Sequence, residues 1–171
     1  MQNIVMKMLA RAEYAAPALR NAKQLGVHQY LDFASKFASV KLPETEDMHK
    51  AQVILSKNGR ISQLEVSRFA KEEACFCNML GVAYNMPIME LQGLISALAH
   101  IFKEGSTIVL DRPDKTTFEE MEKILEKSGF LIYEYIKADE IQARFLDRYN
   151  KGDTKFLPIE NINFFMVVKK G

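Results

Sequence analysis

Residues 71–111, KEEACFCNMLGVAYNMPIMELQGLISALAHIFKEGSTIVLD, constrain the fold more than any other stretch. Ala74 to Met79 is a short apolar run, the pattern of a buried strand. Gly81 to Asn85 supplies a loop. Pro87 stands where a helix can start, because a first turn does not need its N–H. Leu91, Leu94, Ile95, Leu98 and Phe102 then recur on one helical face, and Gly105 is placed to close that helix in the left-handed conformation. Thr107 to Leu110 is a second β-branched run, ending on Asp111. Two buried strands joined by a helix predict a right-handed crossover in a parallel sheet. Ligands in such sheets bind at the carboxyl ends of the strands. That selects Asn78 to Asn85 and Asp111 to Asp114 as the places to look for a site.

The flanking segments extend the same pattern. Val5, Met8, Ala12, Ala15, Leu19 and Ala22 recur at spacings of three and four, which predicts an amphipathic helix over 4–25, kinked or divided at Pro17 and ended by Gly26. HQYLDF (28–33) is a strand candidate, and ASVKL (38–42) a second small one. Pro43 and Thr45 open a predicted helix with Glu44, Glu46 and Asp47 in its first turn, and Met48, Val53, Ile54 and Leu55 on its buried side. Asn58-Gly59 is a turn. ISQLEV (61–66) alternates like a half-exposed edge strand. Thr116 and Glu119 form a capping-box pattern before Phe118, Met121 and Leu125, and Gly129 ends that helix. FLIYEYIK (130–137) and INFFMVVKK (162–170) are closing strands, separated by a short helix at 138–149 in which Ile141, Phe145 and Tyr149 share a face. The sum is a single α/β domain over 1–171: an N-terminal helix to residue 26, then an open, mostly parallel sheet.

Composition narrows the function classes. A chain of 171 residues with net charge +1 has no global field to recruit nucleic acid or an anionic membrane. Cys75 and Cys77 lie two apart on one strand face, badly placed to bond each other, so buried reduced thiols are expected. His28, His49 and His100 lack ligand spacing, so no metal is expected. MQNIVMKMLARAEY has no long apolar core and no small-residue cleavage site. The expectation is a cytoplasmic protein without a membrane span.

Taken together, several segments resemble the leucine carboxyl methyltransferase family, a branch of the class I S-adenosylmethionine-dependent methyltransferases. They are ARAEYAAPALRNAKQLGVHQYL, PETEDMHKAQ with Pro43 and Thr45, ACFCNMLGVAYNMP with Leu80, Gly81, Val82 and Tyr84, and EGSTIVLDRPD with Gly105, Ser106, Ile108, Val109 and Asp111. The resemblance implies a Rossmann-like sheet with helices on both faces and a C-terminal antiparallel hairpin, here shortened in its first half. It also implies S-adenosylmethionine as cofactor and methyl transfer to a carboxylate or hydroxyl oxygen, with a small-molecule or carboxylate acceptor. By the same resemblance, Arg11, Asp32, Phe33, Ala34, Ser35, Glu44, Asn78 and Met79 fall at the cofactor site, and Tyr84, Asn85 and Asp111 at the acceptor site. The sequence departs from the family at two points. Asp32 to Ser35 stand where the family has a glycine-rich turn, and Lys41 stands at its ribose-binding acid, with Glu44 the nearby substitute. Two alternatives stay open beside the enzyme: a catalytically inactive relative acting as a binding or dimerisation module in a homo-oligomer, and an unrelated small α/β protein with another ligand.

Overall fold

The unit predicted at 71–111 is the centre of the sheet. The structure is a computed structural model that describes residues 2–34, 42–54, 65–153 and 155–171. β4 (Cys75–Met79) and β5 (Thr107–Arg112) pair in parallel, joined by a short turn at Ala83–Asn85 and the helix α2 (Ile88–Ile101). Both strands are buried along their whole length, as strands covered on two faces must be. α2 ends at Phe102, so Gly105 (φ +86) does not cap it. That glycine instead makes the turn into β5, where its N–H donates to the Lys169 carbonyl.

β1 (Gln29–Ala34) lies on the other side of β4, followed outward by β2 (His49–Ile54) and β3 (Glu65–Ser67). β1 is parallel to both β2 and β4, while β3 runs antiparallel to β2 as an edge strand. The strand β2 corrects the sequence reading. The predicted helix from Pro43 is only a 3-10 turn, Pro43–Thr45. Residues 49–54 form a ladder with β1, burying Ala51 and Val53 and exposing Gln52. Pairing with a central strand outweighs a weak local helical preference. The strand predicted at 38–42 lies outside the described residues except for Leu42, which precedes the 3-10 turn. The Asn58-Gly59 turn and most of 61–66 also lie outside them.

The C-terminal half follows the expected order. α3 (Phe118–Lys127) precedes β6 (Phe130–Lys137), and β7 (Asn163–Lys169) inserts antiparallel between β5 and β6. The seven-stranded order is β3-β2-β1-β4-β5-β7-β6. The α3 cap is Thr117, whose hydroxyl accepts from the Glu120 N–H; Thr116 is buried and has another task. α4 (Ala138–Ile141) continues through a wider turn over Gln142–Leu146 and a tighter 3-10 turn over Asp147–Tyr149, burying Ile141, Phe145 and Leu146.

α1 (Gln2–Gln24) runs unbroken through Pro17. Its C-terminal half buries the expected Ala15, Leu19 and Ala22. In its N-terminal half Met6, Ala10 and Tyr14 face inward, while Val5 and Met8 are exposed. The reason lies in what the helix leans on: the Tyr14 ring packs 4.8 Å from Phe164 of β7 and 5.9 Å from Phe145.

Two apolar layers result. α2 and α3 cover Leu31, Phe33, Ala51, Val53, Cys75, Cys77 and Met79. α1 and the 138–146 segment cover Tyr30, Phe76, Val109 and Phe164 on the opposite face. Both cysteines are buried and free of disulfide, and burial pushes the Cys75 thiol up to about 12, so neither is a ready nucleophile. Among the described residues no group of His, Cys, Asp and Glu is arranged to hold a metal, and no helix is long and apolar enough to cross a membrane.

Candidate functional site

The direction of α1 decides which residues meet. Its last turn leads into the amino end of β1, so its first half lies over the carboxyl ends of the strands. There Arg11 crosses to β5. Its Nε–H donates to Asp111 Oδ2 at 2.7 Å, and the other carboxylate oxygen accepts from the Gly81 N–H at 2.9 Å. Asp111 is wholly buried, and the Arg11 side chain only 13% exposed. Burial pushes the Asp111 carboxyl up from the ordinary carboxylate range, and Arg11 and the Gly81 amide pull it back. Gly81 has φ +82 and lies 3.7 Å from the guanidinium at the position where a Cβ would stand. A side chain there would suffer backbone strain.

Tyr84 joins the same cluster. Its ring sits under two α1 cations, Lys7 Nζ at 5.1 Å and Arg11 at 5.5 Å from the centroid. Its hydroxyl accepts from Lys7 Nζ at 3.3 Å and donates to the Asn161 carbonyl at 2.8 Å. Asn161, at φ +58, turns the chain into β7, and its side-chain oxygen accepts from the Asp114 N–H at 2.8 Å. Asp114 Oδ1 in turn accepts from Asn163. The loops after β4 and β5 and the entry to β7 are thus tied into one polar rim.

Beneath the rim lies Arg112, 2% exposed. Its Nη1 donates to the Ala83 and Met86 carbonyls at 2.6 and 2.7 Å, and Nε and Nη2 donate to Thr116 Oγ1 at 3.1 and 3.0 Å. Among the described residues no carboxylate bonds it, and Asp111 and Glu120 act on its charge through space. The sequence reading ended the strand at Asp111 and gave Arg112 no role of its own. The available signal was a charged pair, Asp111-Arg112, continuing a strand too apolar to leave its end in water.

The residues singled out from the sequence divide accordingly. Arg11, Asp111 and Tyr84 meet. Asn78 faces the α1 side, with its oxygen accepting from the Leu80 N–H at 3.1 Å. Asp32 pairs with Asn78 across the ladder and shares that face. Burial raises the Asp32 carboxyl, opposed by nearby Lys50. Asp32 also lines an open cavity of about 770 Å³ with Tyr30, Lys50, Gln52 and Arg68. Phe33 and Met79 point into the opposite layer and are core side chains, leaving only their backbones near a ligand. Ala34 ends β1, Asn85 is exposed at the end of its turn, and Ser35 and Lys41 lie outside the described residues.

Glu44 sits at the wrong end for a ribose ligand. Its Oε1 accepts from Arg20 at 3.0 Å and its carbonyl from Lys23 Nζ at 2.8 Å, both in the last turns of α1. Arg20 is nine residues beyond Arg11, roughly 13 Å along the helix. Glu44 therefore belongs to the amino end of the sheet.

With this geometry the fold is assigned as the Rossmann-like methyltransferase fold. A S-adenosylmethionine-dependent methyltransferase structure from Clostridium acetobutylicum ATCC 824 superposes with a TM-score of 0.57 at 13% identity, covering 90% of this chain and 89% of that one. Magnesium protoporphyrin IX methyltransferase from Synechocystis PCC 6803, with bound S-adenosylmethionine, superposes with a TM-score of 0.60 at 14% identity, covering 98% and 82%. In sequence the chain is similar to YktD of Bacillus subtilis (strain 168), whose name assigns it to the S-adenosyl-L-methionine-dependent methyltransferases. The identity is 30% over 129 residues, covering 58% of this chain and 41% of the relative, so the chain spans less than half of that protein. No protein-family model matches the chain.

The donor set suits one end of such a cofactor better than the other. Arg11 and Asp32 offer opposite charges suited to the carboxylate and ammonium of a methionine moiety, and Asn78 adds an amide on the strand next to Asp32. A ribose needs an acceptor for its hydroxyls, usually a carboxylate beyond the second strand. No Asp or Glu occurs from Met48 to Leu64, and no glycine from Val27 to Asn58, the stretch that includes β1 and the residues following it. The chain thus fits the amino-acid end and lacks the usual ribose anchor.

Proposed function

We propose that the chain is an S-adenosylmethionine-dependent O-methyltransferase, with the cofactor at the carboxyl ends of β1 and β4 and a carboxylate or hydroxyl acceptor beside Tyr84 and Asn85. The observation that carries the reading is the placement of Arg11 beside Gly81, Asp111 and Tyr84 at the ends of β4 and β5, within this strand order. The similarity to YktD supports the methyl-transfer chemistry. When bound, the cofactor supplies an electrophilic methyl group. The chain's own part is positioning: α1 and the Tyr84 turn hold the acceptor oxygen and keep water away. A carboxylate acceptor needs no base, and no base is assigned. Action in the cytoplasm on a small molecule, without nucleic acid or membrane, completes the proposal.

The test is transfer of labelled methyl from S-adenosylmethionine into extract metabolites and proteins, followed by mild base. Label released as methanol identifies a methyl ester. Base-stable label on nitrogen or carbon overturns the oxygen acceptor.

A second reading is favoured by the missing ribose acid and glycines: the sheet persists as a binding or dimerisation module without catalysis. Full exclusion of labelled methyl from every acceptor, together with a stable dimer in sedimentation, would select it.

A further inference from the structure

We propose that a cavity at the carboxyl edge of the sheet is an acceptor subsite for a cationic group, an ammonium or a guanidinium. The inference deepens the methyltransferase reading and rests on it. The cavity, about 520 Å³, opens between the start of α3 and the end of β6, within the range of small-molecule sites. One wall is aromatic: the rings of Phe118 and Tyr135 lie 5.0 Å apart at 48°. Three carboxylates line it, Asp114, Glu119 and Asp139, against one cation among the described lining residues, Lys137. Asp114 Oδ1 is taken by Asn163 and Asp139 Oδ1 by the Glu140 N–H, while Glu119 has no partner among the described residues. The carboxylates bear on the ring: after burial, Asp114 and Glu119 are what raise the Tyr135 hydroxyl.

Ring faces carry negative potential, and an excess of carboxylates around them selects a cation over an anion or a neutral ring. The cavity also adjoins the site through one residue. Asn161 holds the Tyr84 hydroxyl with its carbonyl and the Asp114 N–H with its side chain. Asn161 thus ties Asp114 of the cavity wall to Tyr84 of the site, so an acceptor with its cation against Tyr135 lies one residue's link away from the proposed methyl-transfer position. The substrate class is a carboxylate- or hydroxyl-bearing molecule that also carries an ammonium or guanidinium group.

The experiment is an NMR titration of the whole chain at low ionic strength with benzyltrimethylammonium, benzylamine and, as control, benzoate. It is repeated on Glu119→Gln and Tyr135→Leu, with S-adenosylmethionine affinity measured on each. Glu119 is exposed on the first turn of α3, so its variant keeps the fold even if loss of Tyr135, which packs 4.9 Å from Phe165, disturbs it. Both cations should shift resonances of Phe118 and Tyr135 and benzoate should not, with each variant weakening the cations about fivefold and leaving cofactor affinity unchanged. Equal binding of benzoate, or cation binding undiminished in Glu119→Gln, overturns the proposal. Cofactor binding without cation binding removes this subsite alone. Cation binding without cofactor binding leaves the cation site standing and overturns its role in methyl transfer.

Discussion

Replacing Arg112 with Met tests the clamp beneath the site. The guanidinium joins the Ala83 and Met86 carbonyls to Thr116 through four hydrogen bonds of 2.6 to 3.1 Å. A hydrogen bond to a charged group contributes about 1.5–3 kcal/mol, so releasing three acceptors from the guanidinium loses roughly 5–9 kcal/mol gross, toward the lower end because the Ala83 carbonyl keeps its bond from the Met86 N–H. Against this, the variant no longer buries a charge that Asp111 and Glu120 favour only through space, which returns several kcal/mol, and the Met side chain keeps the space of the arginine stem filled. The net expectation is a destabilisation of about 2–4 kcal/mol, or a fall in Tm of roughly 5–15 °C. Arg112→Lys should recover only part of it, because an ammonium lacks the planar fork that meets both carbonyls and the hydroxyl together. Urea unfolding followed by circular dichroism gives the free energy, and hydrogen exchange reads the turn directly, with amides of 83–86 losing protection before the sheet does. A change below about 0.5 kcal/mol, the ordinary range for a surface substitution, refutes the clamp.

Two further predictions concern the α1 contacts and the cofactor face. Asp111→Asn and Arg11→Met should each destabilise by about 2–4 kcal/mol, since one partner of a buried pair is left alone, with a coupling above about 1 kcal/mol in the double-mutant cycle by urea unfolding. Additivity within about 0.5 kcal/mol would mean the pair does not tie α1 to β5. Asp32 gives the pH dependence. Its carboxyl is raised in the folded state, chiefly by burial, so the folded chain resists ionising it, and stability falls as pH rises from the ordinary carboxylate value through the raised one. Asp32→Asn removes that penalty, so denaturation at pH 4 and pH 7 should show the variant gaining on the wild type at the higher pH; a gain at the lower pH would reverse the sign.

The sequence made the centre of the fold legible and left its rim hidden. Cys75–Met79 and Thr107–Leu110 are apolar on both faces, a pattern only a doubly covered strand sustains, so the parallel unit followed directly. β2 was harder. Met48 and Leu55 lie seven apart, a helical spacing behind Pro43, and only the alternation of Ala51 and Val53 with Lys50 and Gln52 points to a strand; pairing with β1 settles it. Arg11 and Asp111 stood out separately, but that they bond each other across 100 residues is a property of α1's direction, which no local pattern encodes. Glu44 shows the converse. Its nearness in sequence to Lys41, in the strand predicted over 38–42, suggested a ribose ligand, while the turn of the chain sets it against Arg20 at the far end.

Calorimetric titration of the purified chain with S-adenosylmethionine and S-adenosylhomocysteine, alongside Arg11→Met and Glu44→Gln, tests the central claim most directly. The account predicts micromolar binding of both ligands, weakened at least about tenfold in Arg11→Met, where a charge-assisted contact is lost, and unchanged in Glu44→Gln. No heat and no thermal stabilisation at millimolar ligand would contradict it and leave the sheet as a binding module.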